Sequence, residues 1–163
     1  MRKGWVVVLL AAGGCPFGVP TLEDGFEDSL TETGGCGDLV AYAADVDNER
    51  MLRIDLDQPI VDAGGEPVAY TVALPDAGAT AVIEVGSRIS DAMCTDVIEN
   101  GGPTVLETWT AVSGTLEVSI EPQDYGAIAD LTLTDAVFES PDGEQVTVEV
   151  FEWTDLNVGW LPG

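Results

Sequence analysis

The sequence contains no histidine, and its only lysine is Lys3. The absence of histidine excludes serine or cysteine nucleophiles activated by an imidazole base, as well as histidine-ligated zinc sites. Because lysine is confined to position 3, Schiff-base catalysis is excluded from the rest of the chain. Carboxylate chemistry remains, since the chain carries 30 acidic residues. No spacing selects a pair among them, and we predict a protein that is not an enzyme.

Positive charge is scarce along the whole chain. Only Arg50, Arg53 and Arg88 follow the first three residues, and the net charge is -25. Lysine and arginine supply most of the affinity for nucleic acid and for anionic lipid, so neither is an expected partner. Glu117 and Glu121 alternate with apolar residues, which indicates that the acids form a solvated face of a sheet.

Long apolar runs are also absent. None reaches the roughly 20 residues that a helix needs to span a bilayer. The clearest run, residues 5–12, follows Arg2 and Lys3 and precedes Gly13, Gly14 and Cys15. A basic start, a short apolar run and small residues predict a signal peptide over residues 1–14 and export of the protein. Removal of this segment deletes two positive charges and no acid, so the charge changes from -25 to -27.

The string LAAGGC, residues 10–15, resembles the lipobox of bacterial lipoproteins. The resemblance implies that Cys15 is lipidated and becomes the N-terminus, anchoring the protein to the cell envelope. Ala12 stands where that motif favours leucine. The alternative is ordinary cleavage near Gly13 or Gly14, which would leave Cys15 as a free thiol. Pro16 replaces the aspartate that retains some such lipoproteins at the inner membrane, which favours the outer membrane.

The chain has three cysteines, one at the cleavage point and two further along. In an oxidising compartment, an even pair indicates a disulfide, so we predict a bond between Cys36 and Cys94. The chain-entropy model gives such a cross-link about 4 kcal/mol of stabilisation. The alternative is two buried free thiols. If Cys36 and Cys94 pair, Cys15 is the only cysteine left over, which agrees with lipidation.

Composition divides the exported chain into a tether and a domain. Residues 15–35 are rich in acids, glycine and proline without regular periodicity, which predicts lipid attachment followed by a flexible acidic tether. The alternative is that this segment docks on the domain through Phe17 or Phe26. Residues 36–163 show short alternating runs and predict one β-domain.

Turn residues divide the domain into four predicted hairpins and about eight strands. This pattern predicts an all-β fold, a single antiparallel β-sandwich with a β-barrel as the runner-up. In this it is similar to small uncharacterised β-sandwich lipoproteins of bacterial envelopes. Trp109 and Trp153 are expected in the core, and Trp160 over one end. The predicted hairpins pair residues 39–46 with 51–57, 68–74 with 81–85, 104–112 with 115–121, and 127–139 with 145–153.

The densest group of oxygen ligands comprises Asp45, Asp47, Asn48 and Glu49, with Asp55 and Asp57 on the following strand. Asp45, Asp47 and Glu49 are the candidate calcium ligands. Calcium takes six to eight oxygens, and the segment begins like an EF-hand loop. Arg50 then occupies the position of the required glycine, and Leu56 that of the bidentate glutamate. An irregular calcium site therefore stands beside the alternative of a plain hairpin turn, and no other cofactor is predicted.

These observations predict a lipid-anchored envelope protein whose domain has a binding or structural role. Its expected partners are the membrane, through the N-terminal lipid, and an envelope protein or glycan. Two alternatives remain, a calcium-dependent binding module and a glycan hydrolase that uses two carboxylates. The hydrolase requires two acids about 5 to 10 Å apart across a cleft.

Overall fold

The computed structural model describes residues 22–57, 65–95 and 101–159. A short 3-10 turn, Phe26–Ser29, precedes eight β-strands. The strands are β1 Leu30–Cys36, β2 Val40–Asp45, β3 Arg50–Leu56, β4 Val68–Leu74, β5 Ala79–Ser87, β6 Thr104–Pro122, β7 Ala127–Glu139 and β8 Gln145–Val158.

All the strand pairs belong to one antiparallel sheet. The strand order is β1-β2-β3-β5-β6-β7-β8, and β4 pairs separately with β6. The sheet curls until β1 meets β8 at an isolated bridge, where the Gly159 amide donates to the Gly37 carbonyl at 2.7 Å. The predicted all-β antiparallel class is confirmed, as a sheet nearly closed into a barrel.

The core fills the concave side of this curled sheet. Alternate residues along a strand point to opposite faces, so Leu116, Val118 and Ile120 lie inside while Glu117 and Ser119 face solvent. Burying each large apolar side chain contributes about 1.5 to 3 kcal/mol. Trp109 and Trp153 are buried as predicted. The largest fully buried side chains include Trp153, Phe138, Leu39, Leu52, Ile54, Ile83, Leu116, Leu131 and Leu133.

Two of the four predicted hairpins are confirmed. β2 pairs with β3 across the polar turn, with Ala44 opposite Met51. β7 pairs with β8 in the same way, with Glu139 opposite Gln145. Both hairpins join alternating runs through short turns rich in aspartate, asparagine or glycine, which is the pattern that favours such connections.

The hairpin predicted at Ser113-Gly114 is wrong, because β6 runs through both residues. Its register against β7 shifts on either side of Ser113, so the strand bulges and bends there without reversing. Gly114 has φ 144°, and a Cβ atom at this position would lie 2.9 Å from the Cα of Ala136. A glycine at a bulge and a glycine in a tight turn leave the same signal in the sequence.

The hairpin predicted between β4 and β5 is also wrong. β4 pairs with the second half of β6, Leu74 opposite Gly114, and β5 pairs with the first half, Val82 opposite Thr110. Both strands run antiparallel to β6 along the same edge, so they lie in line. Residues 75–78 connect the two strands, and β5 then begins beside β3, with Ala79 opposite Leu56.

The predicted tether is corrected for residues 22–35, which belong to the fold. Phe26 is 5% exposed and joins the main core, and Leu22 packs against it. β1 then pairs with β2 along its length. Backbone hydrogen bonds hold it there, although most of its side chains are not buried apolar groups. The structure therefore agrees with the alternative prediction, that this segment docks on the domain through Phe26. Phe17, Trp160 and residues 1–21 lie outside the described residues.

We expect Phe26→Ala to lower the free energy of unfolding by about 3 to 5 kcal/mol, because it removes a buried aromatic ring and leaves a cavity. Urea unfolding followed by tryptophan fluorescence measures the loss. Tyr125→Ala is the matched control, since Tyr125 is 96% exposed. An equally small effect of both substitutions would show that residues 22–29 do not contribute to the core.

Candidate functional site

The predicted disulfide between Cys36 and Cys94 is present, with a Cα separation of 5.5 Å. It joins the end of β1 to the segment that follows β5. That segment, residues 88–94, is a series of turns. The bond therefore connects two parts of the chain that are 58 positions apart.

Residues 88–94 lie across the outer face of β2 and β3. Ala44, Met51 and Ile89 form a second buried apolar cluster there, separate from the main core. Tyr42 and Met93 pack against it from the sides. This part of the sheet is therefore covered on both faces, which explains why Ala43 and Ala44, adjacent on β2, are both fully buried.

Asn48, in the turn between β2 and β3, fastens this covering segment. Its side-chain oxygen accepts hydrogen bonds from the Ser90 amide at 2.8 Å and the Ser90 hydroxyl at 2.9 Å. Its side-chain amide donates to the Asp91 carboxylate at 2.6 Å. Asn48 has φ 56°, a left-handed conformation that asparagine tolerates better than most residues. The Asn48 side chain thus binds two consecutive residues of the covering segment, Ser90 and Asp91.

The three candidate calcium ligands lie in this turn but do not converge. Asp45 is 2% exposed, whereas Asp47 and Glu49 are exposed. One Asp45 oxygen accepts from the amides of Glu49 at 2.8 Å and Arg50 at 3.2 Å. The other binds the Arg50 guanidinium at 2.7 Å. Within residues 22–57, 65–95 and 101–159, no three acidic or cysteine side chains are arranged to hold a metal. The geometry therefore favours the plain hairpin turn.

A shallow groove of about 360 Å³ lies on the outer face of β4, β6 and β7. Glu117 and Asp130 are its carboxylates, and the Asp130 side chain accepts a hydrogen bond from the Asp155 amide at 2.8 Å. Tyr70 lies on the β4 segment that borders the groove, but it is opposite the buried Val118, and its side chain packs against the main core. Burial raises the pKa of its phenol there. No local sequence pattern indicates this groove, because it depends on the pairing of β4 with β6. The other lining residues are Ala69, Thr71, Val118, Ser119 and Thr132.

A second depression, of about 630 Å³, lies where the 3-10 turn meets β8. Asp24, Glu27, Asp28 and Glu149 supply four carboxylates to its lining. Asp24 also accepts a hydrogen bond from the Thr147 amide at 3.4 Å, which attaches the start of the described chain to β8. The concentration of negative charge makes this end of the molecule unfavourable for anionic ligands.

The predicted lipidation site, Cys15, lies outside the described residues. In the part of the chain that the structure covers, no helix has the length and apolar character needed to cross a bilayer. Comparison of the chain with protein-family models, with curated proteins and with solved structures finds no match.

We expect Asp45→Ala to lower the free energy of unfolding by about 3 kcal/mol, because two backbone amides and Arg50 lose a buried partner. Thermal and urea unfolding measure the change. Asp47→Ala is the matched control, since Asp47 is exposed in the same turn. Both proteins are measured with and without calcium. If calcium stabilised the unsubstituted protein and both substitutions abolished that effect, the turn would be a calcium site after all.

Proposed function

We propose that this protein is an exported lipoprotein, anchored to the cell envelope through Cys15, whose domain serves a non-catalytic binding or structural role. The observation that carries the proposal is the disulfide between Cys36 and Cys94. Disulfides of this kind form and persist in exported proteins, and they are rare where thiols are kept reduced. The bond thus supports the address that the N-terminal sequence predicts.

The pairing of these two cysteines also supports lipidation. The chain has three cysteines, so this bond leaves Cys15 over. A domain with so few cations has little electrostatic attraction for an anionic membrane. Acyl chains are then the natural attachment, since each buried methylene contributes about 0.8 kcal/mol. We place the protein at the outer membrane, on the basis of Pro16.

A binding role agrees with the position of the groove on the outer sheet face. Enzyme sites are usually concave and enclose most of their substrate. Glu117 and Asp130 instead lie on neighbouring strands of one face, because Glu117 pairs with Thr132, and Asp130 with Ser119. A glycan hydrolase needs its two acids on opposite sides of the scissile bond. The arrangement gives that alternative no support.

Mass spectrometry of the N-terminal peptide, recovered from a membrane fraction, tests the address. We expect the peptide to begin at Cys15 and to carry the mass of a diacylglyceryl group with a further acyl chain. The Cys15→Ser variant should lose this modification and keep its signal peptide, because the lipid is attached before cleavage. The matched control, Cys36→Ser, should keep the lipid while losing the disulfide.

An N-terminal peptide that begins elsewhere, or that contains an unmodified Cys15, would refute the lipid anchor. The binding role is tested separately, by crosslinking the anchored protein in intact cells and identifying what is attached. A purified protein that cleaves glycans would contradict the non-catalytic role.

A further inference from the structure

The first half of β6 has a strand on one side only. Residues 104–110 pair with β5, from Ser87 opposite Thr104 to Val82 opposite Thr110. On the other side, β7 begins its pairing at Thr110, opposite Glu139. Among the residues that the structure describes, none pairs with residues 104–109 along that side. We call residues 104–109 the open edge.

An open edge presents backbone amides and carbonyls that are ready to pair with another strand. This one also carries exposed apolar side chains, with Leu106 57% exposed and Val105 44% exposed. Leu106 is the extra residue of a bulge, because Glu107 lies opposite Val85 and Val105 opposite Gly86. It is left without a partner on β5. Two neighbouring apolar residues beside an unpaired backbone are the features of a strand-addition site.

The open edge is held firmly by the rest of the domain. Trp109, at its end, is 4% exposed and belongs to the main core. β5 supports it from the paired side, with Ile83 opposite Trp109. A partner strand would therefore dock on a preformed template, which lowers the entropic cost of binding.

Acidic residues surround the open edge. Glu107 lies on it, and Glu139 lies where an added strand would meet β7. Asp142 and Glu144, in the turn just beyond, are exposed. A second copy of this chain would bring net charge -25 against these carboxylates, so self-association is opposed by repulsion. A cationic partner gains attraction at the same place.

We propose that the open edge binds an extended, basic segment of another protein as an added β-strand. The segment alternates lysine or arginine with apolar residues, because successive side chains of a strand face opposite ways. Backbone hydrogen bonds provide affinity, contact with Leu106 and Val105 provides apolar burial, and Glu107 with Glu139 selects positive charge. This inference rests on the binding role proposed above and names the chemistry of its partner.

Calorimetric titration of the full chain, purified in detergent, tests the inference with a blocked octapeptide of alternating lysine and valine. We expect measurable binding, weakened at least tenfold by Leu106→Lys. The matched control is Val150→Lys, because Val150 is 53% exposed on β8, opposite Thr134. It makes the same charge change away from the open edge, and binding should stay within twofold of the unsubstituted protein. Unchanged circular dichroism confirms that both variants fold.

Two further peptides separate strand addition from general attraction. A lysine and valine peptide that is N-methylated at every backbone amide has the same charge without the backbone donors of a strand, and alternating glutamate and valine reverses the charge. Both should bind at least tenfold more weakly than the lysine and valine peptide. Equal binding of either peptide, or equal effects of Leu106→Lys and Val150→Lys, would overturn the proposal.

Absence of binding up to about 1 mM peptide would also overturn it, since that limit corresponds to about 4 kcal/mol of binding free energy. A dimer in sedimentation velocity that Leu106→Lys abolishes would assign the edge to a second copy of this chain. None of these outcomes depends on how Cys15 is modified, so failure here is distinguishable from failure of the lipid anchor.

Discussion

The covalent bond between Cys36 and Cys94 is the constraint on which the N-terminal side of the sheet depends. β1 has the sequence LTETGGC, and Leu30 is its only buried apolar residue. The strand is therefore held by pairing with β2 and by the disulfide at its end, more than by its own side chains. Gly34 allows the Tyr42 ring to lie against the strand, because a Cβ there would be 2.6 Å from the ring. Directly after β1, Gly37 forms an isolated β-bridge with Gly159, which brings the two ends of the sheet together.

The same bond also determines what covers the outer face of β2 and β3. It fixes residues 88–94 where Asn48 can bind Ser90 and Asp91. Under them lie Ala44 and Met51, which face away from the main core. A cross-link favours this arrangement mainly by restricting the unfolded chain. The bond also agrees with the export that the N-terminal sequence predicts, because disulfides form and persist in oxidising compartments.

The features predicted correctly from the sequence are those with local causes. Alternation on both sides of a polar turn identified the β2-β3 and β7-β8 hairpins. The number of cysteines, in a chain predicted to be exported, identified the disulfide. The pairing of β4 with β6 joins distant parts of the chain, so no local pattern indicates it. Gly114 gave the signal of a turn but forms a bulge, and β1 lacks the alternation that marks a strand.

The candidate site residues show the same difference between local patterns and features that depend on the folded structure. Asp45 was predicted as a ligand because of its chemistry, but its carboxylate is occupied by the amides of its own turn and by Arg50. Recognising this required the buried geometry of the turn. The groove and the open edge arise from the register of β6, whose two halves have different neighbours on one side. Both features therefore became visible only with the sheet topology.

Together these features describe an acidic β-domain with one open strand edge. Its carboxylates disfavour nucleic acid and anionic headgroups, and the open edge is where we propose that an extended cationic chain adds to the sheet. The attachment predicted at Cys15 and the binding proposed at β6 differ in their chemistry. Each can be altered without changing the other.

Hydrogen exchange of the native protein beside a variant carrying Cys36→Ala and Cys94→Ala tests the central role of the disulfide most directly. The account predicts that amides in β1 and in residues 88–94 exchange much faster in the variant. The paired amides of β6 and β7 should keep most of their relative protection, because the main core holds them. Unchanged exchange in β1 and residues 88–94 would contradict the account, since it would show that packing alone maintains this side of the fold.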